Sequence, residues 1–519
     1  MPLPEGFTAQ ALMKRFEHAK KVRDGNWRDH IQECYEYAAP QREILYEYYP
    51  GEQKNSTIYD DTAVIGLQTF AGRMQQSVVP PWQQFAKLVA GVSITEEEAD
   101  SQVNFDGEEM SLSEALEAST DIVFDYIHRS NFDSKVYEAF IDFGISTGVL
   151  TCDYDYDEDE LVFDAIPLAH VFLEAGPRGT LDTVWRESEI EARLIEQYWP
   201  DANIPEKLRI RIDKKPQGKE KMIEGFVLDP DSKMTYYVVI CLSEKEIIYY
   251  QEDEISPVIP FRGMVVPGEN YGRGPIMQIL PTIKTLNLIK EFELTSGAIA
   301  ASGAWTGVDD GVFNPYTVEI APGIVIPVSS NENGNLSLRA LDFNFDFQFS
   351  QIKAEELQAV VNRVLFANPI GDIDDPTKTA TEITIRRQMD LQEQSAFFSR
   401  VQTELVERLM KRVVYVLQRE GKLPRLRVDG KEVAIKHVSP IARAMDVEDA
   451  QVVIQAVNMS SVVGPEIMMG GLKVEDIPGF IADKLGVDPS LKRTEAEQAQ
   501  LQEQVAQILA SIQQEQQGA

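Results

Sequence analysis

Apolar positions along this chain follow two periods, near 3.6 towards both ends and 2 in the middle. Leu12, Phe16, Trp27, Ile31, Tyr35 and Ala38 fall mostly at helical spacing, which predicts helix across 8–48 with a break at Pro40. A second helical stretch runs from about 61 to 79 and stops at Pro80-Pro81, and 112–129 and 135–145 read as two more. From 149 to about 265 the pattern changes. VLTCDYDYDEDELVFDAI alternates around an acidic turn, and MTYYVVICL and EIIYYQ are short β-rich runs, so this block reads as α+β or a small barrel.

Helical spacing returns over 275–301, where Ile276, Ile279, Ile283, Leu286, Ile289 and Phe292 share one side. The segment opens on Tyr271-Gly272-Arg273-Gly274-Pro275. A proline in the first helical turn loses nothing, because its N–H would be unpaired there anyway. Residues 294–308 carry no charge and are rich in Gly, Ala and Ser, a composition suited to close helix packing. Residues 306–349 read as short strands and loops. A short helix follows over 353–366, with Leu357, Val360, Val361, Val364 and Leu365 on its apolar face, and then a polar, turn-rich interruption over 367–378.

The strongest helical signal comes next. Residues 381–420 contain neither Gly nor Pro, and Phe398, Val401, Leu405, Leu409, Val413 and Val416 step by three or four. At 1.5 Å per residue this stretch would span about 60 Å, a strut rather than an ordinary globular helix. LRVDGKEVAIKHV then predicts a hairpin turning at Asp429-Gly430, and small helices fill 446–485. Leu501, Val505, Ile508 and Ile512 mark an amphipathic segment in a Gln-rich end, open between a frayed tail and a helix packed between subunits. No repeat of 20–50 residues is visible, and no βαβαβ rhythm suggests a doubly wound nucleotide fold.

Charge adds a constraint. The 519 residues hold 84 Asp and Glu against 49 Lys and Arg, a net of −35. That length suggests about three to five structural units, and 43% hydrophobic with 26% charged residues excludes a disordered polyelectrolyte. The acid is concentrated: 91–164 holds 21 Asp and Glu, with Arg129 and Lys135 as its only bases, which predicts an acid-rich, solvated surface. Such an anion does not attract DNA phosphates through its bulk field. Cys34, Cys152 and Cys241 lack any CxxC pairing, which fits a reducing compartment and excludes a disulfide framework. MPLPEGFTAQ has no basic region and apolar core, and no run approaches 18 apolar residues, so neither a secretory signal nor a membrane span is expected.

The chemistry-bearing motifs are mostly missing. There is no GxxxxGK[ST]; the glycines of 268–274 lead into Pro275 without the Lys-Ser/Thr of a phosphate cradle. Asp153, Asp155 and Asp157 copy half of a calcium loop. Its sixth position is Glu158 where Gly is needed and its twelfth is Asp164, so a hairpin with an acidic tip is the better reading. His18, His30, His128, His170 and His437 show no metal-ligand spacing, and no GxSxG or local Cys–His signature occurs. No basic cluster or aromatic-basic interleave points to base readout. No cofactor, metal or catalytic residue is expected. One enzymatic alternative remains, a soluble acidic multidomain hydrolase using a carboxylate pair, since so many acids guarantee chance pairs.

Several stretches, taken in order, resemble the portal proteins, the head-to-tail connectors of short-tailed, podovirus-type bacteriophages. They are Trp27-Arg28-Asp29-His30-Ile31-Gln32-Glu33-Cys34-Tyr35-Glu36-Tyr37 with Pro40-Gln41-Arg42, and Ile58-Tyr59-Asp60-Asp61-Thr62-Ala63 with Val79-Pro80-Pro81-Trp82. Further on come Tyr271-Gly272-Arg273-Gly274-Pro275 with Leu286-Asn287, then Thr379-Ala380-Thr381-Glu382-Ile383 with Arg386 and Arg387, and Val438-Ser439-Pro440-Ile441-Ala442-Arg443-Ala444. Met445 departs from the family's pattern, where Gln is expected.

The resemblance implies a mixed α+β, mostly helical portal fold assembled as a ring, with a wing (1–270), a first stem helix (271–303) and a clip (304–349). A second stem helix (350–366), a tunnel loop (367–380), a long helix with its hairpin (381–439) and a crown (440–519) would follow. It implies a non-enzymatic channel at one capsid vertex, in the virion and during assembly in the host cytoplasm. Its partners would be further copies of itself in a ring, usually a dodecamer, the major capsid and scaffolding proteins, the terminase large subunit, tail adaptor and tail tube proteins, and double-stranded DNA passing without sequence specificity. On this reading Asn368, Asp372, Asp374, Asp375 and Lys378 belong to the loop facing DNA, and Lys284, Lys290 and Lys353 are candidates for the channel face of the stem. Asp309, Asp310, Phe313, Tyr316 and Glu319 are candidates for partner binding in the clip.

Overall fold

Contacts divide the chain into two units, one built from 1–74 and 130–377, the other from 75–129 and 378–519. The computed structural model describes residues 3–4, 6–42, 54, 57–91, 102–105, 108–177, 179–302, 305–307, 338–340, 347–367, 398–424 and 433–438, and positions 453, 454, 457, 477 and 481. The acid-rich stretch 91–164 is therefore shared between the units and does not form a block of its own.

The first unit opens with α1 (Ala9–Val22) and α2 (Arg28–Ala38), continuous through a π turn at Arg23–Trp27. Thr8 caps α1 by accepting from the Ala11 N–H at 3.3 Å. The π turn follows from the sequence. Ala19, Arg23, Trp27, Ile31 and Tyr35 step by four, and in a uniform α-helix each such step overshoots the buried face by about 40°. One wider turn takes up the excess and keeps Arg23, Ile31 and Tyr35 buried together.

Five antiparallel strands form the main sheet in the order β10-β9-β8-β7-β6. They are β6 (Val171–Ala175), β7 (Leu181–Glu191), β8 (Lys219–Leu228), β9 (Thr235–Cys241) and β10 (Glu246–Asp253). Alternation along the strands turns Ile223, Val227, Tyr236, Val238 and Ile240 towards Leu12, Met13, Phe16 and Ala19 of α1. Met222, Val239, Cys241 and Ile248 point the other way, against Ile195 of α6 (Ile195–Tyr198), Trp199, and Leu208 of α7 (Glu206–Lys214). Burying each large apolar side chain here contributes about 1.5–3 kcal/mol. The sheet is open, so the α+β reading holds and the barrel does not. At its centre Trp185 pairs across the ladder with Gly225, where an added Cβ would meet the indole at 2.4 Å.

A second sheet, β11-β4-β5, joins β4 (Thr147–Asp155), β5 (Glu160–Ala165) and β11 (Val258–Arg262). Helix α5 (Phe132–Ile145) covers it through Phe132 on Phe163 and Phe140 and Phe143 on Phe261. The acidic segment makes the β4–β5 turn, with Asp155 accepting from the Asp157 N–H at 2.9 Å and Asp159 at a φ of 56°. Among the described residues no cluster of three or more His, Cys, Asp or Glu could hold a metal ion.

Two long helices complete this unit, α8 (Pro275–Ser302) and α9 (Phe347–Val364). They run antiparallel: Ser350 at the start of α9 donates to Glu293 late in α8 at 2.6 Å, and residues 57–60 bridge Asn287 to Gln358. Just beyond α8, β12 (Trp305–Gly307) pairs with β13 (Leu338–Ala340), so the two ends of the 308–337 excursion are held side by side. Among the described residues no helix is long and apolar enough to cross a membrane.

In the second unit β1 (Ala86–Ala90) pairs antiparallel with β14 (Val433–His437), and α4 (Leu112–Arg129) lies on β1. The Leu88 N–H donates to Thr120 Oγ1 at 3.1 Å, and Phe85 meets Phe124 edge-on at 4.8 Å. A small hairpin joins β2 (Gln102–Phe105) to β3 (Glu108–Ser111). Of the expected hairpin at Asp429-Gly430, Val433–His437 is a strand whose described partner is β1, more than 340 positions earlier, and 425–432 lie outside the described residues. Of the expected 381–420 helix, 398–419 is described and helical, with a π turn at Gln402–Val406 leading into α10 (Glu407–Arg419). Val401, Leu405, Leu409 and Val413 step by four and are all buried, the same pattern that produces the first π turn.

Candidate functional site

Helix α8 begins where three segments of the first unit meet. The Tyr271 hydroxyl, fully buried, accepts from the Leu173 N–H at 3.2 Å and donates to the Val171 carbonyl at 3.3 Å. The Gly272 N–H donates to Thr147 Oγ1 at 3.0 Å, and its carbonyl accepts from Ser146 Oγ at 2.7 Å. The Gly274 N–H donates to the Ile145 carbonyl at 3.0 Å. A Cβ on Gly274 would lie 2.3 Å from the Gly144 oxygen, and one on Gly272 would lie 2.7 Å from the Ser146 oxygen. These glycines are there because backbone meets backbone, which explains a glycine-rich helix start with no phosphate chemistry.

The π turn and helix α2 close the junction from another side. The Trp27 ring stands 5.5 Å from Tyr271, and the Arg273 guanidinium lies over Trp27 at 5.4 Å. Arg273 is fixed by two bonds to Glu269, at 2.9 and 2.6 Å, and they hold the Glu269 carboxyl below its usual range. Deeper in, Tyr35 donates to Asp142 Oδ1 at 2.7 Å, and Arg42 donates to both oxygens at 3.2 and 2.9 Å. Asp142 is buried, and burial pushes its carboxyl up while the Arg42 charge and both hydrogen-bond partners oppose that rise. The third segment is 57–62. Asn287 of α8 donates to the Thr57 carbonyl at 3.0 Å and accepts from the Tyr59 N–H at 2.7 Å. Asp60 caps α3 (Thr62–Val78) through the Thr62 N–H at 3.0 Å and accepts from Gln358 of α9 at 2.7 Å.

The stretches that stand out one by one in the sequence therefore touch each other. Trp27, Tyr35 and Arg42 come from the first, Tyr59 and Asp60 from the second, and Tyr271 to Gly274 with Asn287 from the third. A family profile described as "Bacteriophage head to tail connecting protein" matches residues 9–492. The chain belongs to this family. Among solved structures, a chain from "Neck of empty GTA particle computed with C6 symmetry" aligns over 83% of this chain and 92% of its own, at 12% identity and a TM-score of 0.35. A chain from "Virion of native gene transfer agent (GTA) particle" aligns over 88% of this chain and 99% of its own, at 11% identity and a TM-score of 0.38. Superpositions this loose add nothing to the family assignment. No curated protein matches.

The three lysines expected on a stem are placed and paired. Lys284 meets Glu33 of α2 at 2.7 Å, Lys290 meets Glu293 one turn on at 2.9 Å, and Lys353 meets Glu356 of α9 at 2.7 Å. Each cation thus has a carboxylate of its own, and Glu293 also accepts from Ser350, which together hold its carboxyl below the usual range. Asn368, Asp372, Asp374, Asp375 and Lys378, and Asp309, Asp310, Phe313, Tyr316 and Glu319, lie outside the described residues. So do 379–387 and 439–445 of the remaining motifs. The sequence reading missed Asp142, although a signal exists: it is the one acid within the apolar run AFIDFGI. Glu33 as the partner of Lys284, 251 positions away, carries no local signal.

Proposed function

We propose that this connector is the repeating subunit of a portal ring at the head–tail junction, through which double-stranded DNA is packaged and ejected. The observation that carries the reading is the α8–α9 pair, rooted in the junction that gathers the family-like motifs and closed at its far end by β12–β13. A rigid root with two long antiparallel helices suits a stem that transmits load along a ring axis. In this reading 304–349 forms the clip, which faces the terminase large subunit and then the tail adaptor and tail tube. Residues 367–380 form the loop facing DNA, and 440–519 the crown within the capsid. The ring is a dodecamer in a virion of the short-tailed type, assembled with the major capsid and scaffolding proteins.

A conduit must pass DNA without gripping it. Each phosphate neutralised by Lys or Arg releases counterions and adds affinity, so unpaired cations along a bore would retain the duplex. Lys284, Lys290 and Lys353, each already paired with a carboxylate, leave little net positive field, and salt screens the remainder beyond about 8–10 Å. Asp372, Asp374 and Asp375 outweigh Lys378 and keep the loop ring repulsive. The chain is structural, and the motor chemistry belongs to a partner. Replacing Asp372, Asp374 and Asp375 together by Asn is expected to leave the ring intact and to change packaging yield or DNA retention. Unaltered packaging and retention would remove the loop from the mechanism.

A further inference from the structure

Among the exposed positions of α8, Gln278, Pro281, Thr285, Leu288, Phe292 and Thr295 follow one another at steps of three, four, three, four and three, while Leu294 and Ala298 are exposed further round the helix. That is the spacing of a helix–helix seam, and not one of these residues is charged. Its two largest side chains are bare: Leu288 is 46% and Phe292 53% exposed. The charged residues of this helix sit off the stripe: Lys284, Lys290 and Glu293 in ion pairs, and Glu291 beside it. The exposed side of α9 carries Ile352 and Val360, 55% and 43% exposed, among Lys353, Glu355, Glu356 and Arg363, whose charges cancel.

We infer that the α8 stripe is covered by the α9 face of a second copy of this chain. Charge selects that occupant. Two copies each at −35 repel wherever acid faces acid, and they can approach where one face is neutral and the other self-cancelling. Joining two different faces is a head-to-tail contact, which leaves the same two faces free at the ends and closes into a ring when the rotation allows. The expected contact follows from the antiparallel pairing, given the ring proposed above, on which this step rests. A ring axis running along the pair keeps residues at one height together. Glu293 is level with Ser350, so Phe292 of one copy meets Ile352 of the next.

The test measures the molar mass of the full purified chain by light scattering, with circular dichroism to verify folding. Phe292→Glu is expected to reduce the assembly to single chains with an unchanged spectrum, and Phe292→Glu with Ile352→Lys in the same chain to restore it. Phe292→Cys and Ile352→Cys, co-expressed, should give oxidised dimers that neither variant gives alone, a readout that does not depend on a disruptive charge. If the unaltered chain assembles and Phe292→Glu assembles equally, with no mixed disulfide, the seam is wrong and the ring stands. An unaltered chain that stays single at every concentration overturns the ring itself.

Discussion

The first half of α8 and its second half are built for different neighbours. Ile276, Ile279, Leu280, Ile283 and Leu286 are buried, and the backbone entering the helix is so tightly held that Gly272 and Gly274 have no room for a Cβ. Beyond Asn287 the same helix bares Leu288, Phe292 and Leu294. A helix satisfied at its root and apolar at its far end is fixed to its own chain at one end and offered to something else at the other. The stretches at 27–42, 57–62 and 271–287 gather at the satisfied end.

Breaking the root has the largest expected effect. Gly274→Val must displace two backbone carbonyls and is expected to cost ~3 kcal/mol or more, seen as loss of soluble folded chain. Next, Asp142→Ala leaves Tyr35 and Arg42 without their shared acceptor. A loss of about 3 kcal/mol or more in denaturant unfolding is expected. Two phenylalanines sharpen the contrast further. Phe16, buried between α1 and the sheet, should cost about 3–5 kcal/mol on replacement by Ala. Phe292→Ala should change single-chain stability by about 0.5 kcal/mol or less, because the chain itself leaves it half bare.

The smallest effect concerns pH. His437 on β14 has its Nδ1 enclosed without a hydrogen-bond partner, and burial, only partly opposed by Glu407, lowers its pKa from 6.5. The unfolded chain therefore binds the proton more readily. The stability this residue contributes is present above pH 6.5 and is lost as pH falls from there through its folded value. Thermal melting should decline modestly over that window, and His437→Gln should flatten the decline. An unchanged slope would show that the ring nitrogen is solvated.

Legibility in the sequence follows the range of the forces involved. The helices at 62–78 and 112–129, the β4–β5 hairpin and the strands at 235–253 are written in local periodicity, so a chain read without coordinates reveals them. Neither π turn was read from the sequence, although runs of four-residue steps at 19–35 and 401–413 cannot stay on one face of a uniform α-helix. What periodicity could not give was pairing. Val433–His437 finds β1, and Lys284 finds Glu33, through contacts hundreds of positions apart that no local rule encodes. The candidate site was legible only as separate stretches. That Trp27, Tyr59 and Tyr271 belong to one junction depends on the path of the chain through the sheet, and a lone acid such as Asp142 acquires meaning only from the arginine that the fold brings to it.

The most direct test of the connector reading is electron imaging of the purified full-length chain. The account predicts closed rings with a central opening, each formed by many copies. A field of isolated single chains at every concentration tried would contradict it.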